Sequence, residues 1–119
     1  MDINIPGVDA KKGLDLYDDE VDLWLRVLRS YAANTPAALD RMRNVSAETL
    51  ADYASAVHGV KSTSANIGAE DTRAAALKLE MTAKAGDLNG VLANNKAFIA
   101  QTEELLAGIR AWLERHDAR

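Results

Sequence analysis

Few side chains in this 119-residue chain are equipped for chemistry. Cysteine is absent, which excludes thiolate catalysis, cysteine-ligated metal and disulfides. Histidine occurs twice, at His58 and His116. His58 opens the stretch HGVKSTSANIG and stands three residues before Lys61, so on a helix the two side chains share a face one turn apart. A neutral imidazole with one protonated nitrogen keeps a nucleophilic lone pair on the other. A lysine at this spacing places positive charge where an anionic group carried by the ring, such as a phosphoryl group, would sit. The ordinary alternative is a solvated or half-packed histidine beside one surface lysine among many. His116 lies in the charged tail ERHDAR, too near the end of the chain to be held in a constellation, and no Ser/His/Asp arrangement is visible. No Gly-rich nucleotide loop and no convincing carboxylate metal cluster is present, so neither a bound metal nor self-phosphorylation from ATP is expected.

The residues that must position His58 read as helices. Alanine and leucine are abundant, glycine and proline scarce, and β-branched runs missing. From Asp18 to about Ala33, Val21, Trp24, Leu25, Leu28 and Tyr31 recur at helical spacing, and Leu23 with Val27 widens the apolar face to more than one flank. Asn34-Thr35-Pro36 reads as a stop and a start, with Thr35 capping a short helix to about Arg43. Ser46 is the next candidate cap, with Glu48 in the first turn of the helix that carries His58, and Gly68 closes that helix. Glu70 and Asp71 open a helix through Ala74, Leu77 and Met81 to Gly86. After Asp87 the spacing of Leu88, Val91, Leu92, Asn95, Phe98, Ile99, Thr102, Leu105, Leu106, Ile109, Trp112 and Leu113 alternates steps of three and four, the pattern of a bundle seam. The expected fold is all-α: an antiparallel up-and-down four-helix bundle with short additional N-terminal helices, residues 1–119 forming one domain.

At about 100° per residue, Leu50, Tyr53, Val57, Val60, Ser64 and Ile67 define the core stripe of the His58 helix, and His58 falls roughly 120° from its centre. Ala54, Ser55, Lys61, Ser62 and Ala65 surround it, nearly all of them small, so the ring is expected to stand above its surroundings within reach of another protein. Ser64 faces the core, its hydroxyl expected to bond back to a carbonyl one turn earlier. Asn95 and Thr102 read as polar register devices within the seam. If the helices flanking Gly68 pack antiparallel, His58 lies level with Leu79 and Glu80. A carboxylate at Glu80 could then accept the Nδ1 proton and leave Nε2 free, although a solvated glutamate is the commoner outcome.

Eighteen acidic and fourteen basic residues give a net charge of −4 with no basic stripe, which argues against nucleic acid as a partner. No apolar run approaches the roughly 20 residues of a spanning helix, and MDINIPGVDA does not read as a signal peptide. A cytoplasmic monomer without membrane insertion is the expectation.

The stretch AVHGVKSTSANIGA, followed by Leu79-Glu80 and by KAGDL at 84–88, resembles the histidine-containing phosphotransfer (HPt) domains of bacterial and plant phosphorelays. Those domains carry a histidine, a lysine three residues on, small residues, then an apolar residue and a glycine that close the helix. His58, Lys61, Ser64, Ile67 and Gly68 match that order. IPGVD and the helix from Asp18 are similar to the lead-in of such domains, so the resemblance covers nearly the whole chain. One departure is Ser62, where the family usually has glycine. The resemblance implies that His58 accepts a phosphoryl group from a receiver-domain aspartate and passes it to another receiver. It implies that Lys61 stabilises the phosphoryl charge and that Ala54, Ser55, Ser62 and Ala65 form the docking surface. A polar side chain often occupies the position of Glu80. The implied partners are response-regulator receivers, with a hybrid sensor histidine kinase as a further candidate; Mg²⁺ would reside on the receiver and the chain would hold no cofactor. It would be a relay rather than a kinase. The competing reading is a non-catalytic helical adaptor in which His58 is not phosphorylated.

Overall fold

The computed structural model describes residues 3–118. Among them it contains five helices and no strand: α1 (Ala10–Asp15), α2 (Val21–Met42), α3 (Leu50–Ile67), α4 (Glu70–Lys84) and α5 (Leu88–Asp117). The last four close a bundle in which α2 packs on α3, α3 on α4, α4 on α5 and α5 on α2. α1, the one short N-terminal helix among the described residues, lies against α2 and α3. The 30 residues of α5 span the 47 Å length of the molecule. None of the helices described is long and apolar enough to cross a membrane.

Polar contacts between helices set their direction. The Trp24 indole donates to the Ile67 carbonyl at 3.3 Å, and the Tyr31 and Ser64 hydroxyls meet at 2.9 Å. At the other end the Tyr53 hydroxyl donates to Asn95, whose amide donates to the Met42 carbonyl at 2.8 Å. Numbers that rise along α2 therefore pair with numbers that fall along α3. The same reversal joins α2 to α5 through Arg29 with Asp117 and Arg43 with Glu103. Between these contacts the apolar core holds Trp24, Leu28, Val57, Val60, Ile67, Val91 and Ile109, all fully buried.

α2 runs unbroken through Asn34-Thr35-Pro36, where a stop and a start were expected. Proline removes the N–H that would bond the carbonyl four residues earlier. That carbonyl belongs to Ala32, and it accepts from Arg110 of α5 at 3.2 Å, so the group does not go unpaired. Thr35 is buried in the helix instead of capping one. α3 begins at Leu50, not after Ser46: the Ser46 N–H donates to the Thr49 hydroxyl at 2.8 Å in the preceding turn, and Asp52 takes the first-turn place expected of Glu48. Leu23, Leu92 and Met81 are exposed, and α4 turns Ala76, Leu79, Glu80 and Ala83 inward in place of the 74/77/81 stripe. Packed against both α3 and α5, α4 buries the face between them, where Ala76 and Ala83 allow close approach.

Gly68 ends α3 in the left-handed conformation at φ 85°, with the Ala69 N–H closing onto the Ser64 carbonyl at 2.9 Å. Its own carbonyl accepts from the Asp9 N–H at 2.9 Å, and a Cβ here would press on the Asp9 carbonyl oxygen. Gly86 has a similar φ of 76° but open space around it. Gly68→Ala should therefore destabilise the protein by about 3 kcal/mol, from backbone strain plus steric conflict, and Gly86→Ala by about 1 kcal/mol from strain alone. Urea unfolding of the two variants checks this; equal losses would contradict it.

Candidate functional site

The register of α3 that buries Val57 and Val60 turns His58 outward, its side chain 55% exposed. The antiparallel return through Gly68 brings Glu80 of α4 level with it, as counting from the turn predicts. Glu80 is not solvated: its side chain is 3% exposed and fully engaged. Its Oε2 lies 2.6 Å from His58 Nδ1, and its Oε1 accepts from Lys61 Nζ at 2.7 Å. Lys84, one turn further along α4, places its Nζ 3.0 Å from the same Oε2 that meets the imidazole.

This arrangement has a definite protonation pattern. Burial pushes the Glu80 carboxyl pKa upward, but hydrogen bonds from Lys61, Lys84 and His58 outweigh it and hold the value down at about 2. An ionised carboxylate only accepts, so Nδ1 carries a proton, and in the neutral ring Nε2 keeps its lone pair. Two ammonium groups face one carboxylate. With a neutral imidazole the cluster therefore carries a surplus positive charge beside an exposed nucleophilic nitrogen. Glu80 orients the ring as the carboxylate of a hydrolase triad orients its histidine.

The other expected site residues divide. Ser55 and Ser62 are exposed near His58, and Ala65 is half-buried. Ala54 is buried at 9% exposure and offers a docking partner little surface. Lys61 is half-buried and tied to Glu80, not free in solvent. The Ser64 hydroxyl bonds across to Tyr31 on α2 and not back along its own helix. Lys84 escaped the sequence reading, although Glu80 and Lys84 form an i, i+4 acid–base pair, the one signal that could have drawn attention to it. His116 is stacked on Trp112 at a centroid distance of 5.0 Å, in the last turn of α5. Among the described residues no group of three or more acidic or histidine side chains is placed to hold a metal ion.

Glu80 also ties the site to stability. Its carboxyl is depressed from an ordinary 4.5 to about 2, so the folded state favours the ionised form. That contribution is complete above pH 4.5 and is lost as pH falls through about 2. The unaltered protein should exceed Glu80→Gln in stability by a margin that shrinks progressively as pH falls from 4.5 towards 2. Urea unfolding at several pH values measures the margin; one independent of pH down to 2 would contradict the charge pairing.

Comparison with curated proteins gives no significant match, and neither does comparison with solved structures. The sequence profile of the Hpt domain matches residues 26–112, a span that begins within α2, contains His58, Lys61, Glu80 and Lys84, and ends within α5. With well over half of its length matched, and a bundle of helices that presents a histidine at its surface, the chain belongs to the Hpt domain family, the phosphotransfer modules of two-component phosphorelays.

Proposed function

We propose that His58 is the phosphoacceptor, taking a phosphoryl group from the aspartyl phosphate of one receiver domain and yielding it to the aspartate of another. The observation that carries this reading is the 2.6 Å contact between His58 Nδ1 and a buried carboxylate on a ring that is otherwise 55% exposed. In the transfer, the Nε2 lone pair attacks phosphorus, the N–P bond forms, and the P–O bond to the receiver aspartate breaks to release its carboxylate. No proton has to move, because Nδ1 already carries one. The ring gains positive charge as the bond forms, and Glu80 stabilises it.

Lys61 and Lys84 supply charge for the phosphoryl oxygens. Phosphoryl transfer depends chiefly on positioning and charge neutralisation, so a nucleophile, an orienting carboxylate and nearby cations are sufficient from this partner. Mg²⁺ and acidic residues belong to the receiver in this scheme, and Ser55 and Ser62 line the surface on which it docks.

Incubation with a phosphorylated receiver should place an acid-labile label on His58. His58→Gln should abolish labelling and His116→Gln should leave it intact; label on His116 in the first variant would contradict the assignment. Lys61→Ala should slow transfer by about tenfold or more while leaving the helical circular dichroism unchanged. Unchanged transfer together with an unchanged phosphohistidine lifetime would remove Lys61 from the mechanism.

A further inference from the structure

Two of the five serines carry hydroxyls that the rest of the molecule leaves unused. Ser30 pairs with Asn34, Ser46 with Thr49 and Ser64 with Tyr31. Ser55 and Ser62 are exposed, and neither hydroxyl bonds to another of the described residues. A bond back along α3 is open to a hydroxyl, since Thr63 donates to the Gly59 carbonyl at 3.0 Å, yet neither serine makes one. Both flank the phosphoacceptor, Ser55 one turn before His58 and Ser62 one turn after it.

Glu80 decides which of the two the reacting nitrogen faces. Its oxygens are divided between His58 and Lys61, so the carboxylate stands between those side chains, on the α4 side of the ring and toward the C-terminal end of α3. Nδ1 points at it. The two nitrogens of an imidazole point in widely divergent directions, so Nε2 is turned away from α4 and toward the preceding turn. At about 100° per residue, Ser55 lies roughly 60° from His58 on the flank away from α4, and Lys61 roughly 60° from it on the flank toward α4. The lean of helical side chains toward the N-terminus carries the ring the same way, over the turn that holds Ser55 and off the turn that holds Ser62. Ala54, the other neighbour in that preceding turn, is buried and has no polar group to offer.

We infer that the Ser55 hydroxyl is a ligand of the phosphoryl group on His58 Nε2, donating to one of its oxygens and stabilising the phosphorylated state. This rests on the relay reading, which supplies the phosphoryl group. No covalent bond to Ser55 forms; the hydroxyl keeps its proton and shares it with an anionic oxygen. Lys61 and Lys84, both tied to Glu80, meet the same group from the α4 side, so its oxygens are held from both flanks of the ring.

The position of the transfer equilibrium separates a phosphoryl ligand from a docking contact. A docking contact changes forward and reverse rates alike. A bond present only in the phosphorylated protein changes the equilibrium ratio of phosphorylated protein to phosphorylated receiver, read at concentrations too low for the complex to accumulate. In Ser55→Ala that ratio should fall about threefold, and the phosphorus-31 resonance of protein labelled with phosphoramidate should move. Ser62→Ala, on the docking surface, should alter rates alone and leave both the ratio and the resonance where they are. A ratio and resonance unchanged in Ser55→Ala would overturn the assignment and leave the relay reading standing, and so would equal changes in the two variants. If His58 takes label from phosphoramidate but exchanges it with none of a panel of receivers, the relay reading fails while the resonance still decides the role of Ser55. If His58 takes label from neither donor, both fall.

Discussion

A buried carboxylate is tolerated only where its charge is paired and its lone pairs are filled. Glu80 meets that condition through three donors contributed by two helices: His58 and Lys61 from α3 and Lys84 from its own α4. The condition is stringent because it fixes the register of α4 against α3. A slide of one residue would turn Glu80 away from all of its α3 partners and strand a charge in a dry interface. The turn at Gly68 and the small inward residues Ala76 and Ala83 serve that register, by fixing the reversal and letting the helices approach. Breaking the cluster by removing one partner is expected to cost more than the net stabilisation the cluster provides, since the remaining charges stay behind.

The rest of the bundle holds α3 in place while leaving one ridge of it uncovered. Tyr31 with Ser64, and Tyr53 with Asn95 and the Met42 carbonyl, pin α3 to its neighbours through buried polar contacts. Among the described residues no buried side-chain nitrogen or oxygen is left without a partner. Fully satisfied contacts of this kind specify one arrangement of helices better than apolar packing alone. A rigid ridge suits a nucleophile that must enter another protein's site: the imidazole arrives already oriented, so little ordering remains to be done on encounter.

Much of this was legible in the sequence where local rules and tertiary structure agree. The period of α5 from Val91 to Leu113 marks a seam because its residues, Leu92 apart, are buried along one face, and Gly68 and Gly86 mark turns because glycine takes the left-handed backbone without strain. The level pairing of His58 with Glu80 followed from counting away from Gly68. Reading failed where a distant residue changed a local rule. Pro36 does not end α2, because Arg110, 78 residues away from the Ala32 carbonyl it serves, replaces the missing donor. α4 misled because its alanines at 74, 75 and 76 permit several apolar faces, and contacts with both α3 and α5 select one. Lys84 was missed because a lysine four residues after a glutamate is ordinary on any helix; its meaning depends on the burial of Glu80, which no local pattern records.

The account depends on the state of one ring. A neutral histidine side chain in water prefers the proton on Nε2, the nitrogen that must be bare here, so the Glu80 contact has to reverse that preference. Nitrogen-15 NMR of His58 at neutral pH reads the tautomer directly. The structure predicts a protonated Nδ1 and an unprotonated Nε2 in the unaltered protein, with reversion toward the Nε2–H form in Glu80→Ala. An Nε2–H tautomer in the unaltered protein, or a spectrum indifferent to the loss of Glu80, would contradict the claim that this carboxylate prepares His58 for transfer.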